Sequence, residues 1–204
     1  MAYNIDYNKR AVDLAKELLG KIIEYNNIRY MITVTEAYPY DETDNKTGKI
    51  KSISYVNRSS NGKGHDELTG EDKIGNCFIY GHMIHIACKG GPSKLWGNEY
   101  SCDNVLIRGA IEVDGKSINN GNDRLNRLNY KIGSPYTLGS TIFKIPKDQP
   151  ALSLVDNKQI IKVYDFKSFD EKDSDVETRY NLTDDEKYRY FLIKDVLKEI
   201  INKA

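Results

Sequence analysis

The chain lacks any apolar run approaching the roughly 18 residues that a membrane-crossing helix needs, so the sequence offers no helical span. Its opening, MAYNIDYNKRAV, has no apolar core of the secretory-signal kind, which gives the expectation of an intracellular protein. Cysteine is scarce. Cys77, Cys88 and Cys102 are an odd number with no CxxC spacing, which argues against a disulfide framework and gives the expectation of reduced, buried thiols. The segment GGPSKLWGNEY has glycines and a lysine but not the GxxxxGK[ST] spacing of a phosphate-binding loop, and reads as a turn-rich loop. No serine stands in a nucleophile elbow, and no local Cys–His pairing is indicated. There is no internal repeat, clear linker or low-complexity block.

What is present is a globular composition. The 204 residues are 39% hydrophobic and 29% charged, with a mean hydropathy of −0.61, enough for one domain with a sizeable core. Net charge is zero, which alone argues against a nucleic-acid binder, but the distribution is uneven. Residues 45–64 hold Lys46, Lys49, Lys51, Arg58 and Lys63 with no acid. Residues 116–147 hold six basic residues against Asp123, whereas residues 165–186 hold nine acids against three bases. Two basic segments are available to neutralise phosphates; an ordinary solvated surface is the plainer explanation of the same charges.

Residues 11–22 predict a helix, since Ala11, Leu14, Ala15, Leu18, Leu19 and Ile22 form one apolar stripe. Gly20 suits a left-handed cap. KIIEY and IRYMITVTEAY read as strands joined by a tight turn at Asn26–Asn27. Residues 41–73 are polar and read as a long surface segment. NCFIYGHMIHIAC is an apolar β region interrupted at Tyr80–Gly81, and NVLIRGAIEV is a further strand. NDRLNRLNYK reads as a short helix, STIFKI and QIIKVYDF as strands, and RYFLIKDVLKEIINKA as a strand and terminal helix or as one helix. This mixture indicates a single α+β domain over residues 1–204.

Within the second strand, the even positions Ile32, Val34 and Glu36 share one face. Glu36 is therefore aimed inward, and a buried carboxylate must be paired or functional. Arg108, in VLIRGAI, is the strand-embedded arginine in a comparably apolar setting. Paired with Arg108, Glu36 would stay ionised and could serve as a general base for water; a purely structural ion pair uses the same two residues. His82, His85 and Cys88 invite a metal reading, but on a strand the two histidines point to opposite faces and cannot share an ion. Tyr80, beside Gly81, suits a hairpin tip from which it could wedge between bases, or simple hairpin packing.

LAKELLGKII, TVTEAY, FIYGHM, VLIRGAIEV, GNDRLNRLNYKIG and the later ETRYN and YRYFLI occur in an order that resembles the alkyladenine (3-methyladenine) DNA glycosylase family. The resemblance covers more than half of the chain, with diverged stretches at residues 41–73 and around 140–175. It implies a curved, mostly antiparallel sheet with surrounding helices and a protruding β-hairpin. It implies an enzyme of base-excision repair that flips damaged purines out of double-stranded DNA and hydrolyses the N-glycosidic bond as a monomer, with no cofactor and no metal, in the nucleus if the source is eukaryotic. Glu36 matches the glutamate that activates water, Arg108 the arginine that holds it, and Tyr180 the residue whose backbone carbonyl also holds it. Tyr80 matches the intercalating tyrosine, Tyr38 an aromatic that stacks on the flipped base, and Leu106 an apolar pocket wall.

Three base-binding positions depart from the family pattern. Cys77 stands where the family has a second stacking tyrosine, and Ala87 where it has an asparagine that screens the purine edge. The pocket histidine expected shortly after Glu36 is replaced by the segment YDETDNKTG, with His65 a distant substitute. These departures point to an altered or broader lesion range, or a weakened enzyme. The alternatives are a damaged-DNA-binding homologue that excises poorly, and a non-enzymatic nucleic-acid- or protein-binding module with a structural Glu36–Arg108 pair.

Overall fold

The structure is a computed structural model. It describes residues 5–25, 28–43, 47, 49–51, 66–80, 83–94, 97–112, 152–153, 161–164, 174–178 and 187–192. These include helix α1 (Ala11–Leu18) and a 3-10 turn at Glu71–Lys73. The strands are β1 (Ile22–Tyr25), β2 (Ile28–Tyr38), β3 (Glu42–Thr43), β4 (Ile50–Lys51), β5 (Asn76–Tyr80), β6 (Met83–Pro92), β7 (Tyr100–Glu112), β8 (Leu152–Ser153), β9 (Ile161–Tyr164), β10 (Ser174–Thr178) and β11 (Lys187–Leu192). The described residues thus form an α+β arrangement dominated by one curled antiparallel sheet. The short helix expected at NDRLNRLNYK, the STIFKI strand and the terminal helix lie outside them.

The strand order is β10-β11-β2-β7-β6-β5-β8, with β1 beside β2 and β9 beside β1. Strand β2 organises this sheet. Its first half pairs with β1 (Met31 opposite Ile22), and its second half pairs along the same edge with β11 (Val34 opposite Phe191). Its other edge pairs with β7 from Tyr30–Glu112 to Tyr38–Asn104. The β2–β7 register shifts between Ile32 and Val34 and again between Val34 and Thr35. These irregularities interrupt the simple even-position alternation. Ile32 joins the helix-side core, while Thr35 and Ala37 flank Glu36 and face the helix, Thr35 Oγ1 donating to the Ala15 carbonyl at 2.8 Å.

The helix is shorter than its periodicity predicts. Ala11, Leu14, Ala15 and Leu18 are its buried face, but the chain leaves the helix at Leu19 and Gly20, where φ is +77°. The Gly20 N–H then donates to the Ile32 carbonyl (2.8 Å) and the Ile32 N–H to the Lys21 carbonyl (2.9 Å), which draws the chain into β1. Ile22 fits the helical stripe because β1 buries it in the same core.

Asp103 fastens the helix to the sheet. Arg10 precedes α1 in an extended conformation and makes no side-chain cap. Asp103, on β7 and wholly buried, accepts instead from the Ala11 N–H (2.9 Å), from Arg10 Nε (2.7 Å) and Nη2 (3.2 Å), and from the Tyr40 N–H (2.8 Å). A carboxylate from a strand thereby satisfies an otherwise orphaned helix N-terminal donor. Asp103→Ala is expected to lower the unfolding free energy by about 3 kcal/mol, because two backbone N–H groups lose their acceptor. Arg10→Ala, which removes the half-exposed counter-charge of the buried carboxylate but leaves its two backbone donors, should cost less, about 2 kcal/mol. Urea denaturation of both variants checks the ranking.

Candidate active site

The two faces of the sheet carry different chemistry. Towards α1 lie Ala37, Cys77, Ile79, Ile84, Ile86, Val105 and Ile107, an apolar layer. The intervening residues of the same strands face the other way. Register places Glu36 opposite Leu106, Leu106 opposite His85, and His85 opposite Phe78. Directly opposed residues share a face, so these four form one row across β2, β7, β6 and β5. A neighbouring row joins Tyr38, Asn104 and Ala87, and Arg108 lies two positions beyond Leu106 on β7. A small cluster of Leu68, Phe78, Ala87 and Cys102 closes the β5–β6 end of this face.

Glu36 is 1% exposed. Arg108 Nη1 approaches both of its carboxylate oxygens at 3.2 Å, and the Tyr38 hydroxyl donates to Oε2 at 2.7 Å. The pair expected from residue types is therefore formed, and Tyr38 touches it through its hydroxyl. Leu106 is the apolar residue between Glu36 and His85. Ala87 is fully buried in the small cluster. Cys77 is not brought to this face: it lies one position from Phe78, in the helix-side core, where burial pushes its thiol up to about 12. Tyr80 ends β5 opposite Met83, and its side chain lies outside the described residues, as do Tyr180 and His65.

His85 and Asn104 are members of the site that motif reading passed over. His85 Nδ1 lies 3.0 Å from Asn104 Oδ1, and its ring stacks on Phe78 with centroids 5.1 Å apart and planes 13° from parallel. Burial lowers its pKa to about 4, against the opposing effects of the Asn104 hydrogen bond and the Glu36 charge. The imidazole is thus neutral near pH 7. The available signal was parity: His85 stands two residues from Ala87 and shares its face. His85 and Cys88 lie on opposite faces, and the described residues contain no group of three or more His, Cys, Asp or Glu able to hold a metal ion.

Among the described residues, two buried side-chain nitrogens have no hydrogen-bond partner, His85 Nε2 and Arg108 Nε. Both belong to this one face. Unsatisfied buried polar atoms are costly and are concentrated where a ligand or water completes them.

No protein-family model matches the chain, and no curated protein matches it.

The depressed histidine pKa has a consequence for stability. Unfolded, the imidazole titrates near 6.5; folded, near 4. Between these values the unfolded state binds more protons, so stability rises with pH. The His85 contribution is fully present above pH 6.5 and is lost as pH falls towards 4. Urea denaturation at pH 7 and pH 5 should show a smaller loss of stability on acidification in His85→Gln than in the parent protein.

Proposed function

We propose that this protein is a monofunctional DNA glycosylase of base-excision repair, built as one domain over residues 1–204, that hydrolyses the N-glycosidic bond of alkylated or otherwise damaged purines. The observation that carries this reading is the placement of Glu36, Arg108 and the two unpartnered nitrogens on a single sheet face. A buried glutamate with an arginine against it, beside polar atoms still lacking partners, is the arrangement a water-directing general base requires. It agrees with the order of TVTEAY, FIYGHM and VLIRGAIEV, which resembles the alkyladenine DNA glycosylases.

In the proposed reaction a damaged purine leaves the duplex at a cost of about a few kcal/mol and presents its sugar to Glu36. Glu36 accepts a proton from water as the water oxygen forms a bond to C1′. The C1′–N9 bond breaks, and its electron pair leaves with the purine. Alkylation at N3 or N7 makes the purine cationic, so it departs neutral and needs little further acid catalysis. Arg108 holds the carboxylate in place and keeps Nε–H free for the water or the sugar. No lysine nucleophile takes part, so the strand is not cut. The protein partner is double-stranded DNA, the working unit a monomer, and the location intracellular.

One observation favours a second reading, a binding module with a structural ion pair: Glu36 is closed off from solvent in this structure. Glu36→Gln separates the two, because glutamine keeps the volume and an acceptor oxygen for Tyr38 and Arg108. Base release from methylated duplex DNA is expected to fall by about 10²–10⁴-fold while binding to the same fluorescent duplex persists. Unchanged release would refute the mechanism, and absence of release from the parent protein would favour the module.

A further inference from the structure

His85 has a geometry that the hydrolysis itself does not use. Its Nδ1 faces the Asn104 carbonyl oxygen, so in the neutral ring the proton sits on Nδ1 and Nε2 is left with a bare lone pair. That atom is buried and unpartnered among the described residues. Stacking on Phe78 fixes the plane of the ring, and the hydrogen bond to Asn104 fixes its rotation about that plane. Leaving such an acceptor dry is unfavourable, and an apolar residue of similar volume would remove the penalty.

The row supplies the rest of the argument. Glu36 and His85 stand two strand spacings apart, roughly 10 Å, with Leu106 between them. Glu36, Leu106 and His85 are all buried in this structure, so the face must open to admit a base; a purine admitted with its glycosidic end at Glu36 would lie across the apolar Leu106 and turn its six-membered ring towards β6. We propose, building on the glycosylase reading above, that His85 is a specificity-determining residue whose Nε2 accepts a hydrogen bond from an N–H on the six-membered-ring edge of the flipped purine. The site then selects damaged purines that carry such a donor, as hypoxanthine does at N1, over purines that carry none. Asn104 is the positioning residue that sets which nitrogen is bare.

The test compares single-turnover base release from duplexes containing hypoxanthine or unsubstituted purine, which is smaller and has no N–H on that edge. The parent protein is expected to favour hypoxanthine, and His85→Leu should reduce the hypoxanthine-to-purine rate ratio by about tenfold or more. His85→Gln, which retains an acceptor oxygen, should keep most of the preference. A ratio unchanged in folded His85→Leu overturns the assignment while leaving the glycosylase reading intact; no release of any base by the parent overturns both. A measurement that leaves His85 in place guards against misfolding. In ¹⁵N-histidine-labelled Glu36→Gln protein, the hypoxanthine duplex should shift the His85 Nε2 resonance upfield from its bare-nitrogen position, and the purine duplex should not. Equal shifts with both duplexes, or a protonated Nε2 in the free protein, would overturn the proposal.

Discussion

The arrangement depends most on a carboxylate on the face of β7 opposite the candidate chemistry. Asp103 accepts four hydrogen bonds, from Nε and Nη2 of Arg10 and from the backbone of Ala11 and Tyr40. Charge-assisted bonds of this kind are shorter and stronger than neutral ones, and here they join three segments distant in sequence. They seat the start of α1 on β7 and fix where β2 leaves the sheet. Since Tyr38 is registered against Asn104, holding Tyr40 just beyond it also holds Tyr38 and Glu36 in place. The guanidinium lies over the Tyr40 ring, 5.1 Å from its centroid, which adds a second tie at the same corner.

Strand alternation then divides the work. Asp103, Val105 and Ile107 belong to the helix side, while Asn104, Leu106 and Arg108 belong to the other. Adjacent residues of β7 therefore serve packing and the candidate site in turn, with the hydrophobic layer beneath the polar row. The low-dielectric setting strengthens each contact to Glu36 and raises the cost of each missing one. The two unpartnered nitrogens are consequently not neutral details of packing. They are the atoms at which this fold forgoes stability, and such departures concentrate where a protein binds something.

Much of this was legible in the residues, for reasons that differ by element. The bounds of β2 follow from its β-branched run, and the Glu36–Arg108 contact follows from the need of a buried carboxylate for a cation in an equally apolar strand. The end of α1 is marked in the sequence by Gly20, whose φ is +77°; the apolar stripe alone overruns it, because a strand residue at Ile22 satisfies the helical spacing by coincidence. The motif position of Cys77 predicts the base-binding face; as the neighbour of Phe78 on β5 it lies on the other one. Asp103 gave no local signal, since SCDNV reads as polar and its partners lie 63 to 93 residues away. Motif spacing offers His85 only a metal reading; its two-residue spacing from Ala87 is the signal that puts it on the candidate face.

The uncharged state of His85 bears on which leaving groups the proposed reaction could serve. Arg108 already brings one positive charge to this face, and its contact with Glu36 offsets it. An imidazolium at His85 would add a second charge with no buried counterpart, and a cationic alkylpurine lying along the row would meet it at close range. Burial keeps the ring neutral near pH 7, so the same acceptor can face a charged or an uncharged purine without that repulsion. In the proposed reaction, the desolvation that lowers the histidine pKa and leaves Nε2 without a partner would make His85 compatible with both kinds of lesion. Selection would then rest on the presence of an N–H donor, not on the charge of the base.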